Sequence, residues 1–358
     1  VSEIANKLDR IRKWLEERRL DALYLQRASS FSWATCGAAS YVNMASSDGA
    51  AALLITQDKQ YLLTSNIEAP RLEKEEKLAS QGWDFRISPW YSNDNIAADL
   101  FHGLKTGSDS AFPGTEDCSA ELARLRANLT PEEGQRFHNL GQRCAQGMEA
   151  AIKSVRPGQT EQAIAARLAQ EVGMRGPQVT VDLVAADERI ALFRHPLPTT
   201  NKLRKYAMLV VCGRLDGLVC SLTRLVHFGR LPEDIRQKSE AVAGIDAAMI
   251  AATRPGRSLR EIFQITIDGY KRAGYPNEWQ LHHQGGPAGY EPREYYATPS
   301  SSERVTAGQV YAWNPSITGS KSEDTILVGE GDNEILTEIP SWPALVINGI
   351  QRPAILVV

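Results

Sequence analysis

The sequence shows little imbalance of charge: Lys and Arg total 40 against 43 Asp and Glu, a formal net charge of -3. A nucleic-acid binder usually carries a basic surplus or a basic run. Neither is present, so nucleic acid is not expected as a partner. Long apolar runs are also missing. None approaches the ~18–20 residues that cross a bilayer as a helix, so no membrane association is expected. No low-complexity tract appears, and 42% hydrophobic with 23% charged residues is an ordinary globular balance. Cysteine is scarce: there are five, Cys36, Cys118, Cys144, Cys212 and Cys220, an odd count at wide spacing with no CxxC. Buried free thiols in a reducing compartment follow from that, and a cytoplasmic location with them. A Cys212–Cys220 disulfide, brought together by a hairpin, is the lesser alternative. The chain begins at Val1 rather than Met, so an upstream segment is expected to have been removed or left out, and the sequence is silent on a signal peptide.

What is present is a chain of 358 residues, too long for one typical core and long enough for two domains. Ile4, Leu8, Ile11 and Leu15 recur at helical spacing with a charged remainder. Strand-like stretches follow at 22–25, 50–55, 60–64 and 84–88, with a charged helix expected over 67–82 and another over 119–127. This alternation is that of an α/β domain. Thr130-Pro131-Glu132-Glu133 is a helix start: Thr130 can cap free amides, Pro131 suits the first helical position, and the acids favour the positive end. The domain boundary is therefore set at 129, giving 1–129 and 130–358. Helices are expected at 130–154, 160–173, 232–253 and 258–273. Strands are expected at 206–212, 217–222, 310–317, 325–328 and 344–347. Helices on one side of a mostly antiparallel sheet fit this second order, so the fold class is α/β (α+β).

Four segments carry a resemblance. They are Arg156-Pro157-Gly158-Gln159-Thr160-Glu161, Gly217 to Arg224 with its Leu222-Thr223-Arg224 ending, His282-His283-Gln284-Gly285-Gly286-Pro287-Ala288-Gly289-Tyr290, and Glu323-Asp324-Thr325-Ile326-Leu327-Val328. In this order they resemble the prolidase, aminopeptidase P and creatinase family, M24, known for its pita-bread fold. The match implies a creatinase-type N-terminal α/β domain followed by a pita-bread domain. The first half resembles that N-terminal domain mainly in layout.

Family members that cleave peptides hold two divalent ions with two Asp, one His and two Glu, and the ions generate hydroxide and polarise the scissile carbonyl. In this sequence the matching positions are Val210, Ser221, Gly286, Asn314 and Glu323. A slip of register at the first does not help, since 208–215 contain no acid. One carboxylate and one amide do not hold two divalent ions, so no metal and no cofactor are expected. A thiol of Cys212 or Cys220 with His195 or His282 is the remaining option for a single soft metal.

Creatinase, a relative of the same fold, hydrolyses a carbon–nitrogen bond without metal through a histidine. The matching residue is His195, and an imidazole both takes and gives a proton near neutral pH. His282 matches a family histidine that binds substrate or shuttles protons, and these two are the catalytic candidates. Arg293, whose guanidinium suits a carboxylate, joins Glu323, Asn314, Ser221 and His283 as substrate-binding candidates. Structural alternatives stand beside each: hydrogen-bonded histidines, a salt bridge from Arg293 to Glu291 or Glu294, and a bond from Glu323 to Thr223 or Arg224. The glutamates that would hold creatine fall at Ser221 and Asn314, which speaks against creatine itself. The expectation is a metal-independent hydrolase of a small carboxylate-bearing amide, dipeptide-like or amidino compound. An inactive binding or scaffold protein is the alternative, and a conventional Xaa-Pro dipeptidase the second alternative. The resemblance also implies a homodimer.

Overall fold

The computed structural model describes residues 2–92 and 96–358. Two compact units make up the chain, Val1–Arg126 and Ala127–Val358. The first contains α1 (Glu3–Arg18), β1 (Ala22–Arg27), α2 (Ala28–Ala34), β2 (Asp48–Thr56), β3 (Gln60–Ser65), α3 (Ala69–Lys74), β4 (Asp84–Ser88), α4 (Ile96–Phe101), β5 (Thr106–Ser108), β6 (Glu116–Asp117) and α5 (Ser119–Arg126). Its strands form one mixed sheet in the order β4-β3-β2-β1-β5-β6. Helix α1 is capped by Ser2 and buries Leu8, Ile11 and Leu15. Lys7 is buried with them because its ammonium donates to the Trp33 carbonyl at 2.7 Å and pairs with Glu3 at 3.1 Å. The single helix expected over 67–82 is two shorter pieces, α3 and a 3₁₀ turn at Leu78–Gln81. Lys77 between them has φ 57°, a left-handed conformation that no α-helix continues through.

The second unit opens with α6 (Pro131–Ser154) and α7 (Glu161–Gly173), then β7 (Gln178–Ala186), the short α8 (Arg189–Leu192), β8 (Tyr206–Leu215) and β9 (Leu218–His227). Helices α9 (Glu233–Ala252) and α10 (Leu259–Arg272) follow, then β10 (Gly285–Ala288), β11 (Val310–Trp313), β12 (Ser316–Ile317), β13 (Ser320–Lys321), β14 (Asp324–Leu327), β15 (Glu334–Ile335), β16 (Ala344–Ile347), β17 (Ile350–Pro353) and β18 (Leu356–Val357). Two four-stranded sheets run β18-β9-β8-β7 and β10-β11-β14-β15. They are stitched together where Ser221 N donates to Thr325 Oγ1 at 2.9 Å and Thr223 N donates to the Glu323 carbonyl at 3.2 Å. This is the pita-bread arrangement: α6 and α7 lie against β7, β8 and β9, and α9 packs with α10 near β11, β13 and β17.

Local chemistry explains the frame. Helix α6 starts in a capping box in which Glu133 N donates to Thr130 Oγ1 at 3.3 Å and Thr130 N donates to the Glu133 carboxylate at 2.6 Å. The β8–β9 hairpin turns on two residues, Asp216 at φ 49° and Gly217 at φ 76°, as a type I′ turn requires. Both hairpin strands are buried along nearly their whole length. Among the described residues no helix is long and apolar enough to cross a membrane.

One carboxylate in this frame lacks support. Asp182 in β7 has a buried Oδ1 with no hydrogen-bond partner, and burial pushes its pKa up to about 7. A folded-state value above the unfolded one gives stability that is fully present below about pH 4 and lost as pH rises through 7. Asp182→Asn should therefore match the parent at pH 4 and exceed it by about 2 kcal/mol at pH 8. Urea denaturation at the two pH values checks this, and equal stability at pH 8 would dismiss the effect.

Candidate active site

Three devices in the second unit position the histidines. The first is Glu161, fully buried at the start of α7, whose carboxylate accepts from Ala186 N at 2.8 Å, Thr199 N at 2.9 Å, Thr199 Oγ1 at 2.6 Å and the Arg189 guanidinium. It pins both ends of the loop that carries His195. The second is an ion pair between Arg194, the neighbour of His195, and Glu278 on a 3₁₀ turn (Glu278–Leu281) that runs directly into His282. The third is the buried Gln284, whose amide donates to the His282 carbonyl at 2.6 Å and whose carbonyl accepts from the Tyr270 hydroxyl at 2.8 Å.

The result is a histidine cluster. His195 Nε2 and His282 Nε2 lie 3.0 Å apart. The His282 and His283 rings stack at 4.3 Å, and Tyr296 packs on His283 at 4.5 Å. His195 is exposed and the other two are half-buried. Burial, aided by the charge of Lys321, lowers the His195 pKa. The same two causes, in that order, take His282 down to about 2, and burial with Arg293 takes His283 to about 4. All three rings are neutral bases at pH 7.

Beside them lies a charge cluster. Arg293, between β10 and β11, donates to Glu323 Oε1 at 3.0 Å and to Ser221 Oγ at 3.1 Å. Lys321 reaches Glu323 Oε2 at 2.8 Å, and Thr223 Oγ1 donates to the same oxygen at 2.6 Å. Burial alone would raise the Glu323 pKa; Lys321 and Arg293 outweigh it and hold the carboxyl at about 2. The cation of Arg293 thus goes to Glu323, thirty residues on, rather than to the neighbouring Glu291 or Glu294 considered from sequence. Asn314 follows β11; its backbone N donates to the Gln284 carbonyl at 3.1 Å and its Oδ1 is buried without a hydrogen-bond partner.

The hairpin register also decides between free thiols and the lesser alternative of a Cys212–Cys220 disulfide, in favour of free thiols. Across from Ser221 stands Cys212, its Sγ 3.2 Å from Ser221 Oγ, while Val210 stands across from Thr223. Cys220 lies opposite Gly213, one residue out of step, so its side chain leaves the sheet on the other face and meets Cys144. Cys212 and Cys220 are free, as are the other three cysteines. Burial pushes the Cys212 thiol up to about 11, which keeps it protonated and a poor nucleophile or ligand.

Lys321 was not singled out from sequence, although a signal existed. It sits two residues before Glu323, near enough in the chain for the two charges to meet. Arg194 and Glu278 gave no such signal, because their pairing spans 84 residues.

The chain belongs to metallopeptidase family M24, whose model matches residues 135–330; the model of the creatinase/prolidase N-terminal domain matches residues 7–128. Among curated proteins it is 22% identical over 343 residues to an Xaa-Pro dipeptidase of Lactobacillus helveticus, covering 87% of this chain and 89% of that one. It is 25% identical over 236 residues to an uncharacterized peptidase of Staphylococcus saprophyticus, covering 63% of this chain and 66% of that one. Among solved structures, the Xaa-Pro dipeptidase from Bacillus anthracis superposes with a TM-score of 0.81 at 18% identity, covering 99% of this chain and all of that one (100%).

Proposed function

We propose that this protein hydrolyses a carbon–nitrogen bond in a small amide, dipeptide-like or amidino compound bearing a carboxylate, without the pair of divalent ions used by peptide-cleaving members of its family. Five positions bear on the ions. Val210, Ser221 and Asn314 offer no charge. Gly286 has no room for a ligand, since a Cβ there would lie 2.2 Å from the Tyr295 carbonyl oxygen. Both oxygens of Glu323 are already taken by Arg293, Lys321 and Thr223. This donor set does not fit two divalent cations, which need several free carboxylate or imidazole ligands.

The observation that carries the reading is the His195–His282 contact at 3.0 Å. In the step we propose, a water oxygen bonds to the substrate carbon while His195 takes its proton. The proton then passes to the leaving nitrogen as the carbon–nitrogen bond breaks, giving an acid and an amine from an amide, or a urea or amide and an amine from an amidino compound. His282 holds the His195 ring through the contact between their Nε2 atoms, and its own low basicity leaves the proton on His195. Lys321 lines the same small cavity as His282. With Arg293 it supplies fixed positive charge for a substrate carboxylate or a developing oxyanion. Ser221, Asn314 and His283 are the further substrate-binding candidates. A homodimer is part of the same proposal.

His195→Ala should lower turnover of a responsive substrate about 10²–10⁴-fold. Xaa-Pro dipeptides and amidino acids form the first screening panel. Treatment with a chelator should not lower wild-type turnover. Two tightly held divalent ions per chain, with Xaa-Pro cleavage abolished by chelation, would defeat the reading. Folded wild-type protein inert to the whole panel would leave a binding fold.

A further inference from the structure

We propose that His195, His282 and His283 form a binding site for one borderline divalent cation of the zinc, cobalt(II), nickel or copper(II) class. This site is separate from the family's two-ion position, shares no residue with it and uses no carboxylate. One ring nitrogen from each histidine lies within 4.8 Å of the other two. Four-coordinate zinc with metal–nitrogen bonds of about 2.0–2.1 Å places its ligand atoms about 3.3 Å apart. The His195–His282 pair is already close to that spacing, at 3.0 Å. The third ring needs a shift of up to about 1.5 Å and a turn out of its stack on His282, within the reach of side-chain torsions.

Two further features support the site. The Nδ1 atoms of His282 and His283 are buried and have no hydrogen-bond partner, so the bond given up when these rings engage an ion is the one between His195 and His282. Exposure of His195 leaves the outer side open, where a water or substrate atom would complete the shell. An all-nitrogen ligand set excludes magnesium and calcium, which take oxygen ligands, and favours the imidazole-binding metals. Arg293 and Lys321 bring two positive charges nearby against the single negative charge of Glu323. That surplus weakens a cation's hold relative to a carboxylate-rich centre, so the affinity falls short of the tightest structural zinc sites.

Metal binding here does not depend on the hydrolase reading. If that reading holds, the ion takes the nitrogen that moves the proton, and loading it inhibits turnover. The test starts from chelator-stripped full-length protein. Titration with cobalt(II) should give the visible absorption of a four- or five-coordinate nitrogen site at one ion per chain, and calorimetry with zinc should give the same stoichiometry with Kd below about 10 µM. His195→Ala, a change at an exposed residue, should raise Kd at least tenfold, and His283→Ala likewise. Cys212→Ser should leave Kd unchanged. Absence of binding below about 100 µM, or an undiminished affinity in His195→Ala, would overturn the site while leaving the proposed hydrolysis standing. Two ions per chain would overturn both.

Discussion

Glu323→Gln is expected to cost about 3–5 kcal/mol of folding stability, because it leaves two buried cations without a counter-charge. The side chains of Arg293 and Glu323 are each 4% exposed and that of Lys321 is 6% exposed. An isosteric amide keeps one acceptor but no charge. It can bond Arg293 or Lys321, not neutralise them. The pH dependence has a definite sign. With the carboxyl held at about 2, against an ordinary value near 4.3, wild-type stability is present above pH 4 and lost as pH falls toward 2. The Gln variant should lack that acid-side decline. Urea denaturation at pH 7 and pH 3 measures both effects. Adding Lys321→Met should recover part of the loss, since one of the stranded cations goes with it. A Gln variant within 1 kcal/mol of the parent at pH 7 would mean that the cations find another partner. Chelation should cost wild type none of this stability, whereas a carboxylate engaged with metal ions would lose its partners.

Arg352→Leu carries the second large effect, about 3–5 kcal/mol at pH 8. Arg352 is 1% exposed and pairs with Asp246 and, at 2.8 Å, with Asp324 Oδ2. Ser322 Oγ accepts from the same guanidinium at 3.2 Å. Asp324 retains a second cation, Arg224, at 2.8 Å, but among the described ion pairs Asp246 has Arg352 alone. Burial already raises the Asp246 pKa, with the charge of Asp324 adding to it, and Arg352 and Ser322 restrain it. Without the arginine, Asp246 takes up a proton in the folded protein at higher pH. The variant's deficit should therefore shrink on going from pH 8 to pH 5, and denaturation curves at those values follow it. A deficit independent of pH would show that packing, not charge, is what the leucine disturbs.

Much of the frame was legible because it rests on local chemistry. Thr130, Pro131 and Glu133 announce a helix start, and the structure contains that capping box. The Asp216-Gly217 pair lies between two apolar runs, and a two-residue turn forms there. Strand β7 was passed over in sequence, although Val179, Val181 and Leu183 alternate as a strand does. Helix α2 was missed for another reason: Ala28-Ser29-Ser30-Phe31-Ser32-Trp33-Ala34 has no helical signature, and burial of Phe31 and Trp33 holds it. In the candidate site, the residue types at Ser221, Gly286, Asn314 and Glu323 could be read off the motifs. The partner of Arg293 could not. Sequence proximity offered the adjacent acids, whereas the folded chain pairs Arg293 with Glu323, thirty residues on.

The glycine at 286 has a consequence for engineering. A Cβ at that position would sit 2.2 Å from one main-chain oxygen, and at Gly285 a Cβ would sit 2.1 Å from another, that of Ala312. Grafting the family's five ligands onto this scaffold by point substitution would therefore stall at the histidine, even if Asp and Glu were accepted elsewhere. The loop around Tyr295 would have to be rebuilt first. Conversion to a two-ion peptidase is thus a backbone redesign rather than a side-chain exchange, and a drift back by single mutations meets the same steric barrier.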